Sequence, residues 1–262
     1  MIVSQSDWGA VRVRGADRVR FLQGMCMGNV EALAPGGWLR TATLDVKGRL
    51  LSIYDAVKRE DEFVLCCQPG LVDATIAVLG RHAIMDDVSF EAAELPIYRR
   101  WPDPASVWTA APLFDAPDGP IASVAETEIR RVEGGLPLYG IDCNEKNFPF
   151  ETPLASVIDY KKGCYVGQEP VARVYSKGQP SKQLRGLELS GVESAGIGAA
   201  VDHPDKSGVG SVTSSVVSPT HGAIALCYLA RGYWDPGTQV TVAGRPATVV
   251  SLPFCPAPGS DR

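Results

Sequence analysis

Lys161-Lys162-Gly163-Cys164-Tyr165-Val166-Gly167-Gln168-Glu169 packs two lysines, a thiol, a phenol, an amide and a carboxylate into nine residues. Neither an alternating strand nor an amphipathic helix accounts for that spacing. Glycines on either side of the Cys-Tyr pair permit backbone angles closed to other residues. A thiol near cations is biased toward thiolate, the form that attacks electrophiles and binds metals. The stretch reads as a chemically loaded turn, with Cys164 as the reactive group and both Lys161 and Lys162 near enough in sequence to stabilise its thiolate if the turn folds back. A lysine-bearing turn that opens a helix or strand is the plainer alternative from the residues alone.

The texture of the chain changes just after this turn. From Gln183 onward, short β-rich runs over residues 184–189, 209–217, 223–229, 239–243 and 247–252 alternate with glycine and proline turns such as Asp235-Pro236-Gly237 and Gly244-Arg245-Pro246. That spacing predicts a small β-barrel or sandwich. Asp202-His203-Pro204-Asp205 reads as a loop. The chain divides near residue 182, into a mixed region over 1–182 and a β domain over 183–262. Pro170, right after Glu169, argues against a regular helix there and predicts extended chain.

Upstream of the turn, residues 136–162 carry Pro137, Pro149 and Pro153 and read as a long irregular stretch. Loops of that length in a compact domain are usually functional or disordered, and Tyr139, Asp142, Phe148, Phe150 and Glu151 within it point to function. Before it, residues 123–132 form the cleanest helix: Ser123 and Glu126 make a capping box, and Arg130 and Arg131 favour its C-terminal end. Earlier still, 15–24 reads as a short helix, 39–46, 49–57 and 63–68 as an antiparallel meander, and 71–79 as a helix inward through Leu71, Thr75, Val78 and Leu79. A further strand pair is predicted over 88–92 and 106–110.

A chain of 262 residues with 45% hydrophobic and 21% charged residues has the composition of a globular protein with a substantial core. A net charge of −5 argues against non-specific nucleic-acid binding. No apolar run has bilayer-spanning length, and the first residues lack a signal-peptide core, so a cytoplasmic location is expected. The seven cysteines share no repeating spacing and the three histidines are scattered. Reduced thiols are expected, with neither a disulfide framework nor a dedicated metal site. Cys66 and Cys67, inside an apolar run, read as core residues. His82 and His221 read as surface or capping histidines.

Lys162-Gly163-Cys164-Tyr165-Val166-Gly167-Gln168-Glu169 resembles the K-G-C-Y-x-G-Q-E signature of the YgfZ family. The resemblance extends to Gly15-Ala16-Asp17-Arg18-Val19-Arg20-Phe21-Leu22-Gln23-Gly24, to Thr43 through Arg49, and to Ser211 through Ser215. Arg131-Val132-Glu133-Gly134-Gly135-Leu136-Pro137 resembles a stretch shared with the aminomethyltransferases of the glycine cleavage system. The implied fold is α+β: a multi-lobed, aminomethyltransferase-like, folate-binding body followed by a C-terminal antiparallel β-barrel. The implied cofactor is tetrahydrofolate. A folate needs an acceptor for its pterin amino edge, flat apolar walls and a cation for its glutamate tail.

By motif match, Arg131 is the tail-binding cation and Glu151 a carboxylate near the folate funnel; a solvated helix-end charge and a surface acid are the plain alternatives. Tyr165 either lines the cavity or packs on the sheet. Gln168 and Glu169 orient neighbouring groups, and Arg173 pairs with Glu169. The resemblance implies an auxiliary role in iron–sulfur cluster assembly or repair, including for client enzymes that modify tRNA, with Cys164 as its hallmark. Client enzymes or assembly proteins would then be the partners. One departure stands out: at the positions where aminomethyltransferases carry adjacent aspartates, this chain has Leu51 and Ser52. Neither supplies a carboxylate, which counts against a standard one-carbon transferase. A non-catalytic adaptor is the other rival.

Overall fold

The computed structural model describes residues 1–254; Cys255 and the rest of the barrel region as delimited from sequence lie outside the described residues. In chain order the elements are β1 (Ile2–Ser4), β2 (Gly9–Arg14), α1 (Arg18–Met25), β3 (Trp38–Leu44), β4 (Leu50–Lys58), β5 (Phe63–Cys67), α2 (Val72–Gly80), β6 (Ser89–Ala93), β7 (Tyr98–Arg100) and α3 (Val124–Gly134). There follow α4 (Gln168–Lys177), β8 (Lys182–Leu189), β9 (Ala200–His203), β10 (Lys206–Ser218), β11 (Gly222–Ala230), β12 (Gln239–Val242) and β13 (Arg245–Val250). The fold is α+β and ends in a closed antiparallel barrel ordered β10-β11-β8-β13-β12-β9.

The body is built on a five-stranded antiparallel sheet ordered β3-β4-β5-β2-β6. Two-residue alternation divides β5 between the faces of that sheet. Phe63, Leu65 and Cys67 join the cluster under α1 and α2. Val64 and Cys66 join Trp8, Ala10 and Ile97 on the opposite face. The adjacent cysteines therefore point apart, and burial pushes both thiols up, that of Cys67 to about 12.

Asp55 ties this sheet to the two-stranded sheet of β1 and β7. It faces Arg40 directly across the β3–β4 ladder and receives hydrogen bonds from Arg40 Nε at 2.8 Å and from Arg99, which enters from β7. Both guanidinium groups lie against indole rings, Arg40 over Trp108 and Arg99 over Trp8 and Trp38. Burial alone would raise the Asp55 carboxyl, but the two arginines outweigh it and hold it below the ordinary range.

The barrel interior is apolar, and its outward residues weld it to the body. On β11, Ala223, Ala225, Cys227 and Leu229 point inward, while Ile224, Leu226 and the partly buried Tyr228 pack against Val132 of α3. Each such aliphatic side chain contributes about 1.5–3 kcal/mol when fully buried.

Three sequence expectations are corrected. Residues 106–110 are not a strand: a short 3-10 helix, Pro104–Val107, is set by Asp103, whose side chain accepts from the Ser106 N–H at 2.8 Å. Asp202 and His203 lie in β9, and Lys206 pairs with His203 in the hairpin to β10. Pro170 does not exclude a helix. It is the third residue of α4, within the first turn, where N–H groups have no intrahelical acceptor.

Candidate functional site

The motif loop begins at Asp159, whose Oδ1 accepts from the backbone N–H groups of Lys161 at 2.7 Å and Lys162 at 3.0 Å. These bonds, that of Lys161 foremost, hold its carboxyl below the ordinary range. The Lys162 side chain then turns back, and its ammonium donates to the carbonyls of Gln23, Cys26 and Gly28, each at 2.7 Å. These carbonyls lie at the C-terminal end of α1 and just beyond it, where a cation is favoured. Burial lowers the pKa of Lys162. The three donors of the Lys162 ammonium are all committed to carbonyls, which leaves none for a direct hydrogen bond to Cys164.

Beyond Lys162 the loop is pinned again. The Val166 N–H bonds Gly24 O at 3.0 Å, and Gln168 Oε1 accepts from the Tyr165 N–H at 3.2 Å. Gly167 has φ 82°, and a Cβ there would stand 2.4 Å from Asp45 O in the β3–β4 turn. That approach requires glycine. At Gly163 a Cβ would meet nothing within 4 Å, so no such constraint applies. Tyr165 packs: at 7% exposure it sits among Met27, Leu44, Leu50, Ile53 and Val171, with the Lys162 ammonium 5.3 Å from its ring centroid. Burial pushes its phenol up to about 12.

Between these anchors Cys164 is held at the surface. Cys26, Cys66, Cys67, Cys143 and Cys227 are buried, so Cys164 is the exposed thiol among the described cysteines. Among the described residues no group of three or more His, Cys, Asp or Glu is placed to hold a metal ion.

The helix that follows turns one face to a cavity of 360 Å³, lined by Glu169, Pro170, Arg173 and Val174 at helical spacing, together with Lys47, Phe148, Phe150 and Glu151. The rings of Phe148 and Phe150 are stacked at 5.0 Å with an interplanar angle of 8°. Glu151 is buried and accepts from Asn147 Nδ2 at 2.9 Å, with Lys182 Nζ at 3.9 Å. A second cavity, of 550 Å³, shares Phe150 and Glu151 and adds Trp108 and Arg185. The structure thus brings Glu151, Glu169 and Arg173 together. Glu169 and Arg173 face the cavity, and among the described residues no ion pair joins them.

Arg131 belongs elsewhere. It is 3% exposed, and its guanidinium bonds Glu128 twice, Leu136 O, Asp142 and Ser214 Oγ. A guanidinium has five N–H donors, so none is left for a folate carboxylate. The expectation that Arg131 binds the tail is corrected: it clamps body to barrel. Asp142, which the sequence marks without a role, completes the joint by accepting from Thr213 and Ser214. Glu133 does the same for Ser218 at 2.6 Å. The signal for this role is the serine-threonine run 213–215, whose hydroxyls need partners once buried.

The remaining candidates are structural. Ser52, at a position where aminomethyltransferases are expected to carry an aspartate, is buried, with its hydroxyl 2.5 Å from that of Thr75. His82 Nδ1 lies 3.0 Å from Val78 O at the end of α2. Lys47 and Arg185 carry no ligand signal that stands out in the sequence; Phe148 and Phe150, which the sequence marks without a role, stack from the extended residue before a 3-10 turn and from within it.

Comparison with known proteins bears on the whole chain. Residues 182–255 match the model of the glycine cleavage T-protein C-terminal barrel domain. A tRNA-modifying protein YgfZ from Enterobacter sp. (strain 638) is 25% identical over 70% of this chain and 70% of its own length. An aminomethyltransferase from Streptomyces avermitilis is 31% identical over 71% of this chain but 51% of its own, so the chain spans about half the length of that relative. The crystal structure of glycine cleavage system aminomethyltransferase T from Bartonella henselae superposes with a TM-score of 0.84 at 20% identity, covering 97% of this chain and 86% of that one. Among the described residues no helix is long and apolar enough to cross a membrane.

Proposed function

The chain is a YgfZ-like relative of the aminomethyltransferases, and from that premise we propose that it is a tetrahydrofolate-binding auxiliary factor in iron–sulfur cluster assembly or repair, acting through Cys164. One observation carries the reading: the exposed Cys164 thiol stands on a pinned loop at the head of α4, and the same helix walls a cavity with the chemistry a folate needs. Glu151 is the acceptor for the pterin amino edge, Phe148 and Phe150 are the flat walls, and Arg173 with Lys47 are the cations for the tail carboxylates. Phe150 and Glu151 also line the larger cavity, so a folate too large for 360 Å³ would extend past them into it.

Tetrahydrofolate, when bound, would supply a reduced pterin able to carry a one-carbon unit. The chain's own residues orient it and hold its charges. Cys164 offers a soft sulfur ligand for an iron or sulfur species passing to a client enzyme; a single thiol does so transiently, and stable ligation needs sulfur from the partner. Clients that modify tRNA fit the name of the YgfZ relatives. The absence of carboxylates at Leu51 and Ser52 argues against standard aminomethyl transfer.

The test is complementation of a cell lacking this gene, scored by the activity of a cluster-dependent enzyme, beside tetrahydrofolate binding by calorimetry. Cys164→Ala should fail to complement and still bind folate. Glu151→Gln and Arg173→Ala should each weaken folate binding roughly tenfold. Full rescue by Cys164→Ala would remove the cluster role, and unchanged binding by both cavity variants would remove the folate site.

A further inference from the structure

Tyr160, in the turn that leads into the motif loop, and Tyr175, on α4, stack with ring centroids 3.9 Å apart and planes 21° from parallel. Both stay open to solvent, Tyr160 at 38% and Tyr175 at 69% exposure. Tyr160 covers one face of the Tyr175 ring, so the exposed area belongs to the other face and the edge. Two surface hollows meet there. One, of 550 Å³, is lined by both tyrosines, Leu39, Ile158 and Lys161. The other, of 600 Å³, is lined by Tyr175, Ser176, Gln179 and Arg231. Tyr175 is the residue common to both.

Each hollow thus sets one cation beside the ring. Lys161 and Arg231 are both exposed, and among the described residues neither enters an ion pair. Nε and Nη2 of Arg231 bond the carbonyls of Gln179 and Pro180, which fixes the guanidinium and leaves its charge uncompensated. Asp159 is the carboxylate at the first hollow, and it is turned to the backbone N–H groups of Lys161 and Lys162. Among the described residues no carboxylate lines the second. At −5 the chain as a whole does not attract polyanions, so an anionic guest here relies on these two cations and the open ring face between them. A polymer in which flat rings alternate with phosphates complements that arrangement: a base stacks on Tyr175, and the phosphates on either side meet Lys161 and Arg231. A free mononucleotide would engage one cation, and an acidic peptide would leave the ring face in water.

We propose that Tyr175, backed by Tyr160 and flanked by Lys161 and Arg231, is a stacking platform for single-stranded nucleic acid, held by ring and charge without reading sequence. The experiment is fluorescence anisotropy of the full chain with an end-labelled adenosine octaribonucleotide. With two cations engaged, log K should fall with log salt at a slope of about −1.4, and Lys161→Gln should bring the slope to about −0.7. Tyr175→Ala, a change to an exposed side chain, should weaken binding roughly tenfold, and Tyr175→Phe, which keeps the ring, should bind as the native chain does. An abasic strand of equal length keeps the phosphates without the rings and should also bind roughly tenfold more weakly. No binding at about 50 mM salt, affinity indifferent to Tyr175→Ala, or an abasic strand bound as tightly as the adenosine strand would overturn the proposal. So would displacement of the strand by an octaglutamate peptide whose own binding falls with Tyr175→Ala, because that result assigns the surface to an acidic protein segment.

Discussion

Lys162→Met tests whether the motif lysine is an anchor. Methionine keeps most of the aliphatic stem, so the change removes mainly the three 2.7 Å bonds to Gln23, Cys26 and Gly28. Hydrogen bonds to a charged group contribute about 1.5–3 kcal/mol each. The cost of burying the ammonium, visible as its lowered pKa, offsets part of that sum, and the freed carbonyls regain some water as the loop loosens. A net loss of about 3–5 kcal/mol is expected. At about 2–4 °C per kcal/mol for a chain of this size, Tm should fall by about 6–20 °C. Scanning calorimetry measures the loss, and amide exchange locates it: the Val166 N–H, bonded to Gly24 O, should exchange faster than amides of the barrel strands. A loss below about 1 kcal/mol with Val166 still protected would refute the anchor and return Lys162 to the role of thiolate partner.

The two motif glycines should part company: Gly167→Ala should cost at least about 2 kcal/mol because its φ and the 2.4 Å approach to Asp45 O both resist a side chain, whereas Gly163→Ala should stay within about 0.5 kcal/mol in urea unfolding. Arg131→Met should destabilise by about 3–5 kcal/mol by leaving Asp142 buried without its cation; folate affinity measured at a temperature where the variant is folded should hold, and a selective loss of affinity would restore its ligand role. Asp55 should dominate acid unfolding. Its folded pKa is below the ordinary 3.8, so its contribution is full above that value and disappears as pH falls through the folded value. Asp55→Asn should lower stability at neutral pH by about 3–5 kcal/mol and flatten the stability profile below pH 4; an unchanged profile would show that other carboxylates carry the acid response.

Features set by neighbours in sequence are legible in the residues, and features set by distant partners are not. The capping box of Ser123 and Glu126 forms as read, with the Glu126 N–H bonding Ser123 Oγ at 3.2 Å, because both partners lie within one turn. The β12–β13 hairpin at Ala243-Gly244 follows from turn chemistry in the same way, whereas Asp235-Pro236-Gly237 makes a turn between β11 and β12, which do not pair. Arg131 defeats a local reading because its deciding partner, Ser214, lies 83 residues away. Lys162 does so because the carbonyls it grips lie 134 to 139 residues upstream. Pro170 reads as a breaker, yet its place in the first helical turn makes it harmless, a distinction that depends on the left-handed Gly167 before it being the helix start. Glu151, Glu169 and Arg173 are each marked by the motifs that carry them. That they share one hollow depends on how residues 148–151 fold against α4.

The joint made by Arg131, Asp142, Thr213 and Ser214 has a kinetic corollary. Because body and barrel are joined by ionic and hydroxyl contacts over an apolar seam, gaping between the two halves would break those contacts. A folate held as proposed by Phe150 and Glu151, and leaving past the charged tips of Lys47 and Arg173 without such gaping, should have a residence time that answers to salt and to those two side chains.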